Sequence, residues 1–339
     1  MTQSNTSDPT IAVIVPAYNA AQHLRANESA LRSIRERATL IVVDAGSTDE
    51  TRSIAKRVAS DVVGFAERQG PAAARNLGAS RVSADVLLFL DADCTPLRDT
   101  LARVASAFAG DPQLVSLTGS YDDTPPETNF ASQYMNLRHH YTHQNARREP
   151  GTFWAGCGAV RRKVFLEAGG FDAERFPRPA IEDIELATRL QRLGRTRLDP
   201  QLQVKHLKRW SLRGVVKTDL FDRCIPWARL VSETGEMPDD LNLRLRQRVA
   251  VALSPLALFA AGSAPWALFA GAWPLLACAA GVIAASVALD FGLFRFFVRQ
   301  RGIGFGAGAW LFHQLHLFYS GATFAGVLLV ERLRRLAKS

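Results

Sequence analysis

The segment Ala84–Thr95, with the sequence ADVLLFLDADCT, constrains the fold more than any other part of the chain. Its five consecutive apolar residues, Val86–Leu90, are typical of a strand buried on both faces, as in parallel sheets covered by helices. The strand ends in Asp91 and Asp93, which a turn can direct towards one cation. Carboxylate oxygens suit Mg²⁺ or Mn²⁺, ions that often keep positions for phosphate oxygens. The position also fits a doubly wound sheet, because such sheets bind ligands at the carboxyl ends of their strands.

Further apolar runs alternate with helical patterns along the first 200 residues. They predict strands at Ile11–Pro16, Thr39–Val43, Val62–Phe65 and Leu114–Thr118, and helices at Leu24–Arg37, Asn129–Arg147 and Ile181–Leu193. Small residues dominate Gly70–Ser80, which lets this segment approach a ligand closely. The alternation predicts an α/β fold with a largely parallel sheet.

Basic residues are concentrated in the C-terminal part of the chain. Residues 1–204 contain 24 Lys and Arg against 24 Asp and Glu, whereas residues 205–339 contain 17 against 8, so the whole net charge of +9 lies there. Basic residues beside long apolar stretches favour an anionic membrane surface over nucleic acid. The first ten residues resemble no signal peptide, so we expect a cytoplasmic first domain. The four cysteines lack framework spacing and are expected to be reduced.

Three features predict a membrane-associated C-terminal region. Ser211–Val231 is amphipathic and basic, with Asp219 on its polar side, a pattern suited to a bilayer interface, and Pro226 should break or kink it. Val249–Leu289 contains no Asp, Glu, Lys or Arg in 41 residues, close to two spans of about 20 residues each, with a turn near Gly271–Pro274. A third uncharged stretch covers Gly302–Val330.

We expect a hairpin at about 249–294 and a third helix at about 307–330. The hairpin places Arg244, Arg246 and Arg248 on the same side as Arg295, Arg299 and Arg301, in agreement with the positive-inside rule. A third span would instead place Arg332, Arg334, Arg335 and Lys338 outside. The sequence favours three spans but leaves a re-entrant or interfacial third helix open, with His313 and His316 facing protein.

Seven segments, in order and at suitable spacing, resemble family 2 glycosyltransferases of the GT-A fold. They are VIVPAYNA (13–20), VVDAGSTDET (42–51), GPAAARNLGA (70–79), LFLDADC (88–94), WAGCGAVRR (154–162), GGFD (169–172) and IEDIEL (181–186). The resemblance covers about residues 10–210. It predicts a GT-A domain over 1–210, and the hydropathy and charge pattern predicts an amphipathic linker over 211–248 and transmembrane helices over 249–339.

The resemblance implies a binding site for a nucleotide-diphosphate sugar. Pro16, Ala17 and Tyr18 would flank the nucleotide, Asp44 would accept a hydrogen bond from the base, and Arg75 would contact the nucleotide or its phosphates. Many members carry a second acid after the position of Asp44, where this chain has Ala45. Asp91 and Asp93 would hold the ribose and a divalent metal, Mn²⁺ or Mg²⁺, whose charge stabilises the leaving diphosphate.

Asp183 matches the catalytic base of the family, with Glu182 as the second candidate. The base would take the proton of an acceptor hydroxyl during a single inverting displacement. The wall of the acceptor pocket would include Gly156, Cys157 and Gly158.

The segment HLKRW (206–210) resembles the QxxRW segment of processive synthases, with His206 at the Gln position. His206 is then a third metal ligand, a contact to acceptor and diphosphate, or a buried strand residue. Arg209 and Trp210 fit a phosphate clamp with a stacking wall.

The function predicted from these features is transfer of a sugar to a polyprenyl-phosphate-linked lipid or another glycolipid. The enzyme would be a multi-pass protein of the inner (plasma) membrane with a cytoplasmic catalytic domain. Two alternatives are a processive polysaccharide synthase and a non-catalytic membrane scaffold that binds nucleotide. A sugar-nucleotide synthesising transferase is disfavoured, because VIVPAYNA lacks a glycine-rich, basic phosphate loop.

Overall fold

The computed structural model describes residues 8–149, 152–235 and 245–337. Two compact units divide the chain. The first contains the described residues up to Thr128 together with Thr142–Arg209, and the second contains Asn129–Tyr141 together with the described residues from Trp210 onwards. Arg244 and Lys338, which entered the predicted charge pattern, lie outside the described residues.

The first unit is built around one eight-stranded sheet. Its strands are β1 (Ile11–Ala17), β2 (Thr39–Asp44), β3 (Asp61–Gly64), β4 (Val86–Leu90), β5 (Cys94–Pro96), β6 (Leu114–Tyr121), β7 (Cys157–Arg161) and β8 (Arg195–His206). They lie in the order β3-β2-β1-β4-β7-β6-β8-β5. The predicted α/β class is confirmed.

The sheet is parallel in one half and mixed in the other. β3, β2, β1 and β4 all pair in parallel, as predicted, whereas β7 runs antiparallel to both β4 and β6. Gly158, near the start of β7, pairs with Thr118 of β6, and Val160 pairs with Ser116, so the two strands run in opposite directions. The first residues of β7 therefore lie beside the last residues of β4.

Helices cover both faces of this sheet. They are α1 (Ala21–Ala26), α2 (Glu28–Arg35), α3 (Thr51–Val58), α4 (Pro71–Ser80), α5 (Thr100–Gly110), α7 (Arg162–Glu167) and α8 (Glu182–Leu190). Alternate residues of β4 belong to two different core clusters, Leu88 and Leu90 to one, Leu87 and Phe89 to the other. The predicted burial of this strand on both faces is thus confirmed.

The helix predicted at Leu24–Arg37 is not one continuous helix. It is divided at Asn27 into α1 and α2. Asn27 is 1% exposed, and its side-chain amide donates hydrogen bonds to the carbonyls of Ala92 and Cys94 at 2.9 and 3.2 Å. The tertiary contact outweighs helical continuity at this position, because the buried amide and carbonyls need partners.

The second unit is entirely helical in its described residues. The first 12 residues of α6 (Phe130–Gln144) belong to it, followed by α9 (Leu212–Thr218), a π-helical turn (Asp219–Cys224) and α10 (Ile225–Thr234). Pro226 lies in the first turn of α10, directly after the π-helical turn. The placement of Asp219 on the polar side was wrong. A π-helical turn changes the angular spacing of side chains, and Asp219 is 1% exposed.

Three long helices complete this unit: α11 (Leu245–Phe269), α12 (Trp273–Leu289) and α13 (Phe291–Leu336). The predicted turn near Gly271 is confirmed. Gly302, with φ +83°, interrupts α13. The helix beyond this break ends at Leu336, so the predicted third helix extends past 307–330 at both ends. By length and composition α11 can cross a membrane, and the bent pair α12 and α13 can supply a second crossing. His313 and His316 are buried against protein, as predicted.

Gly78 allows α4 to lie close to the sheet, and replacing it should destabilise the fold. A Cβ atom at Gly78 would lie 2.5 Å from Cγ2 of Ile14 and 3.1 Å from Cγ2 of Val43. We therefore expect Gly78→Ala to lower the free energy of unfolding by about 1–3 kcal/mol. Gly110→Ala, at the exposed end of α5 with no atom within 4 Å of its Cβ position, should be neutral or stabilising. Unfolding of both purified full-length variants measures the difference, and equal stability would contradict this packing.

Candidate active site

The turn after β4 presents two acids at the carboxyl edge of the parallel strands. The backbone N–H of Asp91 donates to the carbonyl of Gly156 at 3.1 Å, and the N–H of Cys94 donates to the carbonyl of Asp91 at 2.9 Å. Asn27 holds the same turn through the carbonyls of Ala92 and Cys94. The Asp91 and Asp93 side chains remain 34% and 21% exposed, so solvent and small ligands can reach both.

A buried arginine connects this turn to the start of α8. Nη2 of Arg75 donates to Oδ1 of Asp91 at 2.7 Å, and Nη1 donates to Oε1 of Glu182 at 2.9 Å. The Arg75 and Glu182 side chains are only 5% and 7% exposed. The other carboxylate oxygen of Glu182 accepts the N–H of Ala180 at 2.9 Å. Arg75, which was predicted to contact phosphate, thus binds two carboxylates in this structure. Both carboxylate oxygens of Glu182 accept hydrogen bonds.

Asp183 lies in the first turn of α8 with an unusually basic carboxylate. Burial raises its pKa most, the charge of Glu182 raises it further, and Arg75 opposes both, which leaves the pKa at about 7. The N–H groups of Ala155 and Ile184 donate to its two oxygens at 3.3 and 2.9 Å. A carboxylate with this pKa can accept a proton near neutral pH.

His206 is brought to Asp93 by strand register. Cys94 of β5 pairs with His206 of β8, so Nε2 of His206 lies 3.6 Å from Oδ2 of Asp93. Tyr121 stacks on the imidazole with 4.2 Å between ring centroids and contacts Trp154 edge-on at 4.6 Å. Burial raises the pKa of Asp93, but the interaction with His206 and the charge of Lys208 outweigh burial and hold it at about 2. A carboxylate and an imidazole are a suitable donor pair for Mn²⁺.

The three predicted metal ligands are not gathered into one group. Across the described ranges, no three His, Cys, Asp or Glu side chains lie close enough together to hold a metal ion. Asp91 accepts a hydrogen bond from Arg75, while Asp93 and His206 are neighbours. The fit to a metal therefore rests on Asp93 and His206, and the ligand role of Asp91 stays a prediction.

The predicted nucleotide side lies at the ends of β1 and β2. Ala17 pairs with Asp44, and Oδ1 of Asp44 accepts the N–H of Ser47 at 2.9 Å. The guanidinium of Arg68 lies 4.6 Å from the ring centroid of Tyr18, whose side chain is exposed. These groups, with Pro16 inside β1, lie at the strand ends where doubly wound sheets bind ligands.

The residues predicted for the acceptor pocket, Gly156, Cys157 and Gly158, are all buried. Gly156 lies against the indole of Trp154, since a Cβ there would meet the ring at 2.4 Å, and Gly158 is similarly close to Phe153. Cys157 is fully buried in the core, so its side chain does not line a pocket, contrary to our expectation.

The predicted clamp of Arg209 and Trp210 is not formed as expected. Nη1 of Arg209 donates to Oε2 of Glu127 at 3.0 Å in the first unit. Trp210 is 8% exposed and packs into the core of the helical unit, so its ring is not a stacking wall. The interpretation as a stacking wall was wrong, because the sequence does not indicate which core an aromatic residue joins.

Sequence reasoning missed Asn27 and Tyr121, which position the acids and His206. A polar residue inside an amphipathic helical pattern was the available signal for Asn27. Tyr121 is the last residue of β6, three residues beyond the predicted strand Leu114–Thr118, and periodicity does not reveal that it stacks on a histidine 85 positions later.

The fold has a close structural counterpart among solved proteins. The mannosyltransferase PcManGT from Pyrobaculum calidifontis, solved in complex with GDP-Man and Mn²⁺, superposes with a TM-score of 0.62 at 22% identity. The match covers 96% of this chain and 88% of that one. At this identity the likeness shows the fold alone. A mixed α/β sheet with acids at its carboxyl edge therefore places the chain in the GT-A class.

Residues 12–169 match the family model for glycosyl transferase family 2. A pre-mycofactocin glycosyltransferase from Mycobacterium tuberculosis is 28% identical over 230 residues, which is 64% of this chain and 47% of that protein. The glycosyltransferase AglE from Haloferax volcanii is 34% identical over 110 residues, 30% of this chain and 36% of that protein. The matched regions thus span about a third to a half of the length of these relatives. Residues 12–169 therefore form a glycosyl transferase family 2 domain, as the motifs within this range predicted.

Removing the cation from the buried Arg75 bridge should destabilise the protein strongly. Arg75→Met leaves Asp91 and Glu182 without their shared partner, and breaking a buried ion pair in this way costs about 3–5 kcal/mol. Arg32→Met is the matched control, because Arg32 pairs with Glu28 at 2.7 Å on an exposed helix surface, where the loss should stay below about 1 kcal/mol. Denaturant unfolding of the full-length variants measures both losses, and losses of similar size would contradict a special role for Arg75.

Proposed function

We propose that this protein transfers a sugar from a nucleotide-diphosphate sugar to a hydroxyl group of a membrane-associated acceptor. The observation that carries the proposal is the arrangement around Arg75, which joins Asp91 of the turn after β4 to Glu182, the neighbour of Asp183. This bridge ties the donor side of the site to a carboxylate with a pKa of about 7.

The donor side is supported by the residues at the ends of β1, β2 and β4. Asp44 is buried at the end of β2, opposite Ala17 of β1, which precedes the exposed Tyr18, and Asp91 and Asp93 follow β4 on the other side of β1. The structural counterpart from Pyrobaculum calidifontis binds GDP-Man and Mn²⁺, which supports a nucleotide sugar and a divalent metal here. Asp93 and His206 would hold the metal, which supplies positive charge to the leaving diphosphate.

Asp183 acts as the general base in this proposal. It takes the proton of the acceptor hydroxyl while that oxygen forms a bond to the anomeric carbon. The bond from that carbon to the diphosphate breaks on the opposite face, so the anomeric configuration inverts. Glu182 is a positioning residue rather than a second base, because its two oxygens are bound to Arg75 and to the N–H of Ala180.

The acceptor is a polyprenyl-phosphate-linked lipid or another glycolipid at the cytoplasmic face of the inner membrane. The apolar helix α11, most of whose side chains are exposed, supports membrane association. The basic residues that flank the apolar helices support the cytoplasmic face.

Replacing Asp183 by Asn should abolish most of the transfer. The amide cannot accept the proton, so we expect kcat to fall about 10²–10⁴-fold with little change in the KM for the donor. Asp61→Asn, an exposed acid at the start of β3, is the control and should behave as wild type. Nucleotide release from a panel of UDP-, GDP- and dTDP-sugars with Mn²⁺ and lipid acceptors measures the rate. Near wild-type transfer by Asp183→Asn would contradict the assigned base, and a ladder of long products would indicate a processive synthase.

The pH dependence should report the raised pKa of Asp183. The base works in its ionised form, so kcat/KM should rise with pH through a midpoint near 7. Glu182→Gln removes the neighbouring negative charge that raises this pKa, and the midpoint should move to lower pH. Glu185→Gln, one turn further along α8 and paired with Arg189, should leave it unchanged. Rate profiles between about pH 5 and pH 9 test this, and an unchanged or raised midpoint in Glu182→Gln would exclude Asp183 as the titrating base.

A further inference from the structure

The hairpin of α11 and α12 exposes its apolar side chains. Phe259 is 69% exposed and Phe269 at the turn is 92% exposed, and only 22% of the most apolar part of α11 is buried. Trp266 and Trp273 flank the turn and are exposed as well, as in the aromatic belts of membrane proteins. At 1.5 Å per residue the helices are about 37 and 26 Å long, close to the hydrocarbon thickness of about 30 Å.

The direction of α13 differs from that of the hairpin. α12 and α13 are inclined by 86° at the break between Leu289 and Phe291. Because Gly302 interrupts α13, this angle alone does not give the course of the helix beyond Gly302, which its contacts define.

Contacts with the linker helices follow the length of α13. The hydroxyl of Tyr319 donates to Oδ2 of Asp219 at 2.7 Å. Further along both segments, Nη2 of Arg335 donates to Oγ of Ser232 at 3.0 Å. The same order along the two segments shows that α13 runs parallel to the π-helical turn and α10. It is therefore packed beside an amphipathic, basic segment whose composition suits a bilayer interface.

Two contacts between α13 and the hairpin lie at the base of the hairpin. A Cβ atom at Gly321 would lie 2.3 Å from Val251, in the second turn of α11. Nε1 of Trp310 donates to Oγ of Ser286 at 3.0 Å, in the last turn of α12. Both contacts are far along the hairpin from the turn at Gly271, so α13 crosses the hairpin at its base.

We propose that the partner of this surface is a lipid bilayer into which the α11–α12 hairpin inserts, with α13 lying in the membrane plane. The hairpin crosses twice, and the chain end returns to the side from which α11 enters. This arrangement, with two spans instead of three, does not place the arginines at 332–335 on the outer side of the membrane. The arginines near both ends of the hairpin and those at 332–335 then share one side, where anionic lipids attract them.

The buried ionisable groups support the same arrangement. Asp219 accepts hydrogen bonds from Tyr319 and Arg223 and contacts Nδ1 of His316 at 3.0 Å. If α13 spanned the bilayer, this charged group would lie at membrane depth, where ionisable groups are costly. At the interface the same contacts hold α13 to the linker without that cost.

Cysteine accessibility in bacterial spheroplasts tests the proposal on the full-length chain. Ala270→Cys at the hairpin turn and Ala337→Cys near the chain end are introduced separately into a Cys224→Ser, Cys278→Ser background. The remaining Cys94 and Cys157 are fully buried. A membrane-impermeant maleimide should label Ala270→Cys in intact spheroplasts, and should label Ala337→Cys only in inverted vesicles.

Labelling of Ala337→Cys in intact spheroplasts would overturn the proposal in favour of three spans. Protection of Ala270→Cys in spheroplasts, with release of the protein by alkaline carbonate, would overturn it in favour of surface attachment. Both substitutions lie at exposed positions, and thermal unfolding in detergent checks that the variants keep the wild-type fold. The readout does not depend on sugar transfer, so a wrong membrane arrangement is distinguishable from a wrong enzymatic function.

Discussion

The buried guanidinium of Arg75 is the interaction on which the candidate site depends. It forms ion pairs with carboxylates from two distant parts of the chain, Asp91 after β4 and Glu182 at the start of α8. Removing such charges from water is costly unless they are paired and hydrogen-bonded. The pairing ties the end of a central strand to the helix that carries Asp183, and it influences the pKa of that carboxylate.

Side chains outside the recognised motifs hold the rest of the site in place. Asn27 interrupts a helix in order to bind the carbonyls of the turn that contains Asp91 and Asp93. Tyr121 stacks on His206 and thereby limits the orientation of its imidazole beside Asp93. The acids supply charge and proton affinity, whereas these neutral neighbours supply their geometry.

The helical unit has exposed apolar side chains on its long helices and a buried polar cluster of Asp219, His316 and Tyr319. Asp219 and His316 are buried there, although the linker pattern placed Asp219 on the polar side. The π-helical turn explains the difference, because its wider spacing changes which side chains share a face. The same buried contacts hold α13 along the linker, as the proposed arrangement with two membrane crossings requires.

The sequence by itself determined the strands that end in Asp44 and Asp91, the α/β class, the family and the apolar hairpin. Short apolar runs bounded by acids or proline, and long uncharged runs, are local patterns with few structural solutions. Only the tertiary structure decided that Arg75 binds two carboxylates, that Cys157 and Trp210 are buried, and that α13 turns by 86° from α12. These outcomes depend on partners from distant segments, and periodicity along one segment carries no information about which partner it meets.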